Sequence, residues 1–108
     1  MPSSLHIVLV TAPDADAGRK LAGAILEARA AACVNIVPGL ESHYWWQGKI
    51  DQSSEVLLLI KTTKPKLKAL EKVIRENHPY ETPEFVAIPA SLVAKKYLAW
   101  VCDSVQPA

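Results

Sequence analysis

Two short stretches limit this chain more than any other feature. Leu5-His6-Ile7-Val8-Leu9-Val10 and Val56-Leu57-Leu58-Leu59-Ile60 are nearly unbroken apolar runs. A strand turns successive side chains to opposite faces, so such runs read as strands buried on both sides. Neither approaches the ~20 apolar residues that a membrane-spanning helix needs.

The segments between them complete an alternating pattern. Asp14 or Asp16 can cap a helix in which Ala17, Leu21, Ala24, Ile25 and Ala28 recur at helical spacing. Residues 33–37 read as a second strand broken by the turn pair Pro38-Gly39. The aromatic run Tyr44-Trp45-Trp46 resumes extended structure, and Gln47-Gly48 turns the chain back at Lys49. Thr63 can cap a second helix with Pro65 in its first turn, a buried stripe of Leu67, Leu70, Val73 and Ile74, and an end at His78-Pro79. Residues 85–88 form a short fourth strand, and residues 92–105 a last helix.

Strand, helix, strand pair, helix, strand, helix is the order of an α+β, ferredoxin-like βαββαβ plan with an added C-terminal helix. Its two main helices cover one face of the sheet, yet the first and third strands are apolar on both. The uncovered face exceeds the roughly 300–600 Å² patch typical of soluble monomers, so a second copy of the chain is expected to cover it. The 108 residues fit a single domain over 1–108.

Composition narrows the function. Twelve basic against eleven acidic residues leave a net charge of +1, which argues against a protein built to neutralise nucleic-acid phosphates or an anionic membrane. The central strands also lack the exposed aromatics with which ferredoxin-like sheets stack RNA bases. Met1-Pro2-Ser3-Ser4 shows no basic stretch leading into an apolar one, so no signal peptide is expected. Cys33 and Cys102 have no metal-ligand spacing and read as reduced thiols in a cytoplasmic protein.

Familiar catalytic and cofactor motifs are missing. Gly18 and Gly23 have phosphate-loop spacing, but they lie inside a helical pattern with Ala24-Ile25 where Lys and Ser/Thr would be required. The segment His78-Pro79-Tyr80-Glu81-Thr82-Pro83-Glu84 is different in kind: two prolines stiffen it, and imidazole with carboxylates suits a divalent metal such as copper or zinc. Read plainly, it is a rigid turn carrying a surface histidine. Glu55 is a candidate partner for it; on spacing alone it is an ordinary exposed edge carboxylate. Tyr44-Trp45-Trp46 can line a pocket or an oligomer contact. Lys61, Lys64, Lys66, Lys68 and Lys72 crowd a helix start, either as a solvated basic face or beside a small anion.

Collinear motifs then resemble one family. They are Ala32-Cys33-Val34-Asn35-Ile36; Ser42, Tyr44, Trp46 and Gly48-Lys49-Ile50; Glu55 with Ile60-Lys61-Thr62; His78-Pro79-Tyr80-Glu81 with Pro83-Glu84; and Tyr97-Leu98 with Trp100. Together they resemble the CutA family of divalent-cation tolerance proteins. The resemblance implies a PII-like homotrimer of ferredoxin-like subunits, no catalytic activity, and a role in the response to metal ions with copper(II) or another divalent cation as ligand. It places His78 at a proposed copper-ligand position and Glu55 and Glu81 at positions expected near subunit clefts; the reading drawn from this is a metal site of His78 with Glu55 or Glu81. Two further such positions carry Val10 and Asn77, neither of which can replace a thiolate or imidazole. Trp46, Lys61 and Tyr80 match positions expected near subunit clefts. Two alternatives stay open: a PII-like sensor of a small anionic ligand, and a trimeric scaffold for a protein partner.

Overall fold

The computed structural model describes residues 4–106. The first three residues, read above for targeting, and the last two lie outside it, so the expected domain over 1–108 extends past the described residues at both ends. Four strands, β1 (Leu5–Ala12), β2 (Cys33–Trp46), β3 (Lys49–Thr63) and β4 (Val86–Pro89), form one antiparallel sheet in the order β2-β3-β1-β4. Helices α1 (Ala15–Glu27), α2 (Leu67–Asn77) and α3 (Lys95–Ser104) complete the chain. The architecture is the α+β, ferredoxin-like plan expected from the element order.

The core lies between the sheet and α1 with α2. Val8, Val10 and Ala12 of β1 pair with Ile60, Leu58 and Val56 of β3, and all six are buried. Leu21 and Ile25 of α1 and Leu70 and Ile74 of α2 close over them. Asp14 caps α1 by accepting the Ala17 N–H at 2.8 Å. Gly18 has a packing role: a Cβ there would lie 3.3 Å from Val56 Cγ2 and 3.5 Å from Ile36 Cδ1, so glycine lets the helix approach the sheet closely.

Three expectations change. Pro38-Gly39 does not end β2 but sits in a bulge between Val37 and Leu40. β2 is an edge strand, where a missing N–H is tolerated, and Gly39 takes φ +77°. Thr63 does not cap α2: its side chain makes no capping bond, and a 3-10 turn over Lys64–Lys66 takes up Pro65 before α2 begins. The last helix starts at Lys95 rather than near Leu92. Gln47-Gly48, with φ of +50° and +78°, is the tight turn expected between β2 and β3.

The second face of the sheet is covered only in part. α3 packs on β3 and brings Tyr97 beside Cys33, while Val101 and Val105 are buried. Val37, Val86 and Ile88 on that face stay 40%, 47% and 45% exposed.

Candidate functional site

β4 pairs with β1 only from His6 to Leu9. Beyond that point the Thr11 carbonyl is taken by His78, which caps the C-terminus of α2 and lies 2.7 Å from it through Nε2. A carbonyl can only accept, so Nε2 carries the proton. The Tyr80 N–H donates to His78 Nδ1 at 3.0 Å, which uses the remaining ring lone pair. The two rings pack with centroids 4.7 Å apart. From there the Tyr80 hydroxyl donates to Glu55 Oε2 at 2.7 Å. Thr11, His78, Tyr80 and Glu55 therefore form a continuous chain of hydrogen bonds that fastens the segment after α2 to β1 and β3.

Burial gives this chain weight. Glu55 and His78 are each 9% exposed. Glu55 is not the edge carboxylate its spacing suggested, because β3 is a central strand. Burial, and then the bond and charge of Glu55, hold the Tyr80 phenol well above the usual tyrosine range. Partial burial followed by the Glu55 charge raises the Glu84 carboxyl as well.

In front of Tyr80 opens a cleft of about 1030 Å³, between the β2–β3 hairpin and residues 79–84. Glu41, Asp51, Glu55, Glu81 and Glu84 supply its carboxylates. Tyr44, Trp45, Trp46 and Tyr80 supply its aromatic surface. His43 also lines it, with Nε2 2.7 Å from Glu41 Oε2. No lysine or arginine among the described residues does.

The expected site residues thus separate into groups. Trp46, Glu55, Tyr80 and Glu81 meet at the cleft, whereas His78 stands behind Tyr80. Lys61 lies six positions further along β3, roughly 20 Å at ordinary strand rise, where it donates to Asn35 Oδ1. None of Lys64, Lys66, Lys68 and Lys72 lines the cleft. The residue that spacing did not reveal is Asp51, which strand register sets opposite Tyr44 on the face of β3 that carries Glu55; Glu41 pairs with Ser54 on the other face and borders the cleft from there.

The donor set is a poor match for a copper ion on His78. A ligating imidazole needs a free nitrogen lone pair, and both ring nitrogens here are engaged. Among the described residues no three His, Cys, Asp or Glu side chains converge as a metal-binding group.

Comparison with known proteins identifies the chain's relatives. The family described as CutA1 divalent ion tolerance protein matches residues 6–104. The chain belongs to this family. It is 47% identical over 100 residues to the chloroplastic protein CutA 1 of Oryza sativa, a match covering 93% of this chain and 56% of the rice protein, so the chain spans about half that relative's length. It is 45% identical over 99 residues to the divalent-cation tolerance protein CutA of Thermus thermophilus, covering 92% of this chain and 96% of that one. The crystal structure of CutA1 from Oryza sativa superposes with a TM-score of 0.93 at 44% identity, covering 99% of this chain and 98% of the other. The CutA1 family is named for tolerance of divalent ions rather than for a reaction. Among the described residues of this member, no helix is long and apolar enough to cross a membrane.

Proposed function

We propose that this CutA1 protein acts in the response to divalent cations as a non-enzymatic, homotrimeric ligand-binding protein whose working site is the cleft beside Tyr80 and Glu55. The observation that carries this reading is the Thr11–His78–Tyr80–Glu55 chain of hydrogen bonds. It fixes one wall of the cleft to two strands of the sheet, so the cleft is formed before any ligand arrives. His78 serves here as the bracket that orients Tyr80. A copper(II) ion on His78 with Glu55 or Glu81 would have to break one of the ring's two bonds, and the reading does without it. The trimer is supported by the partly bare apolar face at Val37, Val86 and Ile88, which copies of the chain would cover. The free thiols Cys33 and Cys102 support a reducing compartment, the cytoplasm.

The lining also separates the two ligand readings. Five carboxylates and no lysine or arginine favour a cationic occupant over the small anion of a PII-like sensor.

The test is growth under copper and cobalt challenge of a bacterial host lacking its own relative. Wild type is expected to restore tolerance, and a variant combining Tyr80→Phe with Asp51→Asn is expected to restore less at equal protein level and unchanged oligomeric state. Full tolerance from that variant would remove the cleft from the function.

A further inference from the structure

Two stretches singled out in the sequence take no part in the cleft: residues 32–36 and residues 60–62. Strand register brings them together. Cys33 lies directly opposite Lys61 in the β2–β3 pair, and side chains so placed share a face with Cβ atoms about 4.5–5.5 Å apart. Their heads then meet on one atom. The Cys33 thiol donates to Asn35 Oδ1 at 3.7 Å, and the Lys61 ammonium donates to the same oxygen. Tyr97 of α3 stands beside the thiol. Lys61 is half-buried, and lysine is rarely buried without a carboxylate partner. Among the described residues no carboxylate forms an ion pair with it; its partner is the amide that also holds the thiol. Cys33 is half-buried too and carries a free thiol, which leaves the sulfur within reach of a molecule as small as peroxide.

We infer that Cys33 and Lys61 form an oxidant-driven covalent clasp, a sulfur–nitrogen bond between β2 and β3 that a thiol reopens. A peroxide is the co-reactant. It first oxidises the Cys33 thiol to a sulfenic acid: the S–H bond and the peroxide O–O bond break, an S–O bond forms, and one water leaves. The Lys61 nitrogen, having lost one proton to water, then attacks the sulfur. An S–N bond forms, the S–O bond breaks, and the hydroxyl departs as water with a second proton from the amine. This is the condensation by which sulfenic acids form sulfenamides, with a lysine amine as the nitrogen. A thiol attacking the sulfur releases the amine and restores the starting pair. Asn35 is the positioning residue, since it holds sulfur and nitrogen at one oxygen. The inference stands apart from the cleft and gives the far end of β3 a response to oxidants.

The test is treatment of the intact oligomer with hydrogen peroxide, followed by intact-mass measurement and peptide mapping. Cys102→Ser is treated beside wild type, so that the second thiol cannot supply the product. Both are expected to lose two hydrogens per subunit, to yield a peptide joining Cys33 to Lys61, and to regain the starting mass with dithiothreitol. Lys61→Arg keeps the charge and is expected to lose the joined peptide, leaving sulfenic and sulfinic acid at Cys33. Asn35→Ala, at an exposed position, is expected to shift the product several-fold from the joined peptide to those acids at equal loss of thiol. Acids at Cys33 with no joined peptide in Cys102→Ser would overturn the inference. So would a Cys33 thiol that resists peroxide in the native oligomer, or a Cys33–Cys102 disulfide as the sole wild-type product. An unchanged product ratio in Asn35→Ala would overturn the positioning role of that residue.

Discussion

The Tyr80 hydroxyl reaches across 25 positions of sequence to donate to Glu55 Oε2 at 2.7 Å. This bond joins a proline-stiffened segment after α2 to a central strand, and it holds a carboxylate that is 9% exposed. Tyr80→Phe removes the donor and leaves the buried carboxylate without it. The expected loss is about 1–3 kcal/mol in urea unfolding. The same substitution in a Glu55→Gln background is expected to cost less, since a neutral amide is less expensive to leave without its partner. Equal losses in both backgrounds would show that the two residues are not coupled.

The Glu84 carboxyl gives the cleft a pH dependence. Its folded-state value is raised above the ordinary 4.5 by partial burial and then by Glu55. The folded state therefore holds this proton more tightly than the unfolded one. The resulting stability is present below the ordinary value and is lost as pH rises through the raised value. Glu84→Gln is expected to flatten the stability profile across that window. Thermal unfolding of wild type and variant at a series of pH values measures this, and parallel profiles would contradict it.

The partly bare sheet face predicts the effect of a charge placed on it. Ile88 is 45% exposed on β4, and Ile88→Glu is expected to break the oligomer into smaller species. Sedimentation velocity reads this directly. A variant that sediments like wild type would move the subunit contact away from this face.

Gly18 carries a packing prediction. Its virtual Cβ already lies 3.3 Å from Val56 Cγ2, and valine would add two further carbons against the same wall. Gly18→Val is expected to destabilise by about 1–3 kcal/mol through overpacking. Unchanged stability would mean that α1 can lift from the sheet at little cost.

The sequence made the fold readable because its periods are strong. The runs at residues 5–10 and 56–60 could only be inner strands, and Leu21, Ile25, Leu70 and Ile74 could only face them. It was least readable where one backbone feature had two outcomes. Pro38-Gly39 reads as a break, but on an edge strand it becomes a bulge. Thr63 has capping chemistry, but its backbone is extended and paired with Leu5, so the turn at Lys64–Lys66 starts without a side-chain cap.

The site was legible in its members and not in its connections. His78, Tyr80, Glu55, Glu81 and Trp46 all stand in the motifs on which the resemblance rests. That His78 spends both nitrogens on Thr11 and Tyr80 depends on where β4 stops pairing with β1, which no spacing encodes. Lys61 shares those motifs but lies too far along β3 to join the cleft. Asp51 carries no motif at all, and only the β2–β3 register, which sets it opposite Tyr44, brings it to the cleft.

The most direct measurement is a nitrogen-15 spectrum of the His78 imidazole at neutral pH, before and after one equivalent of zinc(II) per subunit. The account predicts a neutral ring protonated at Nε2, with both nitrogen shifts unchanged by the metal, and His78→Ala unfolding more easily while binding metal no differently. A shift of either ring nitrogen on adding zinc would contradict it and make His78 a ligand.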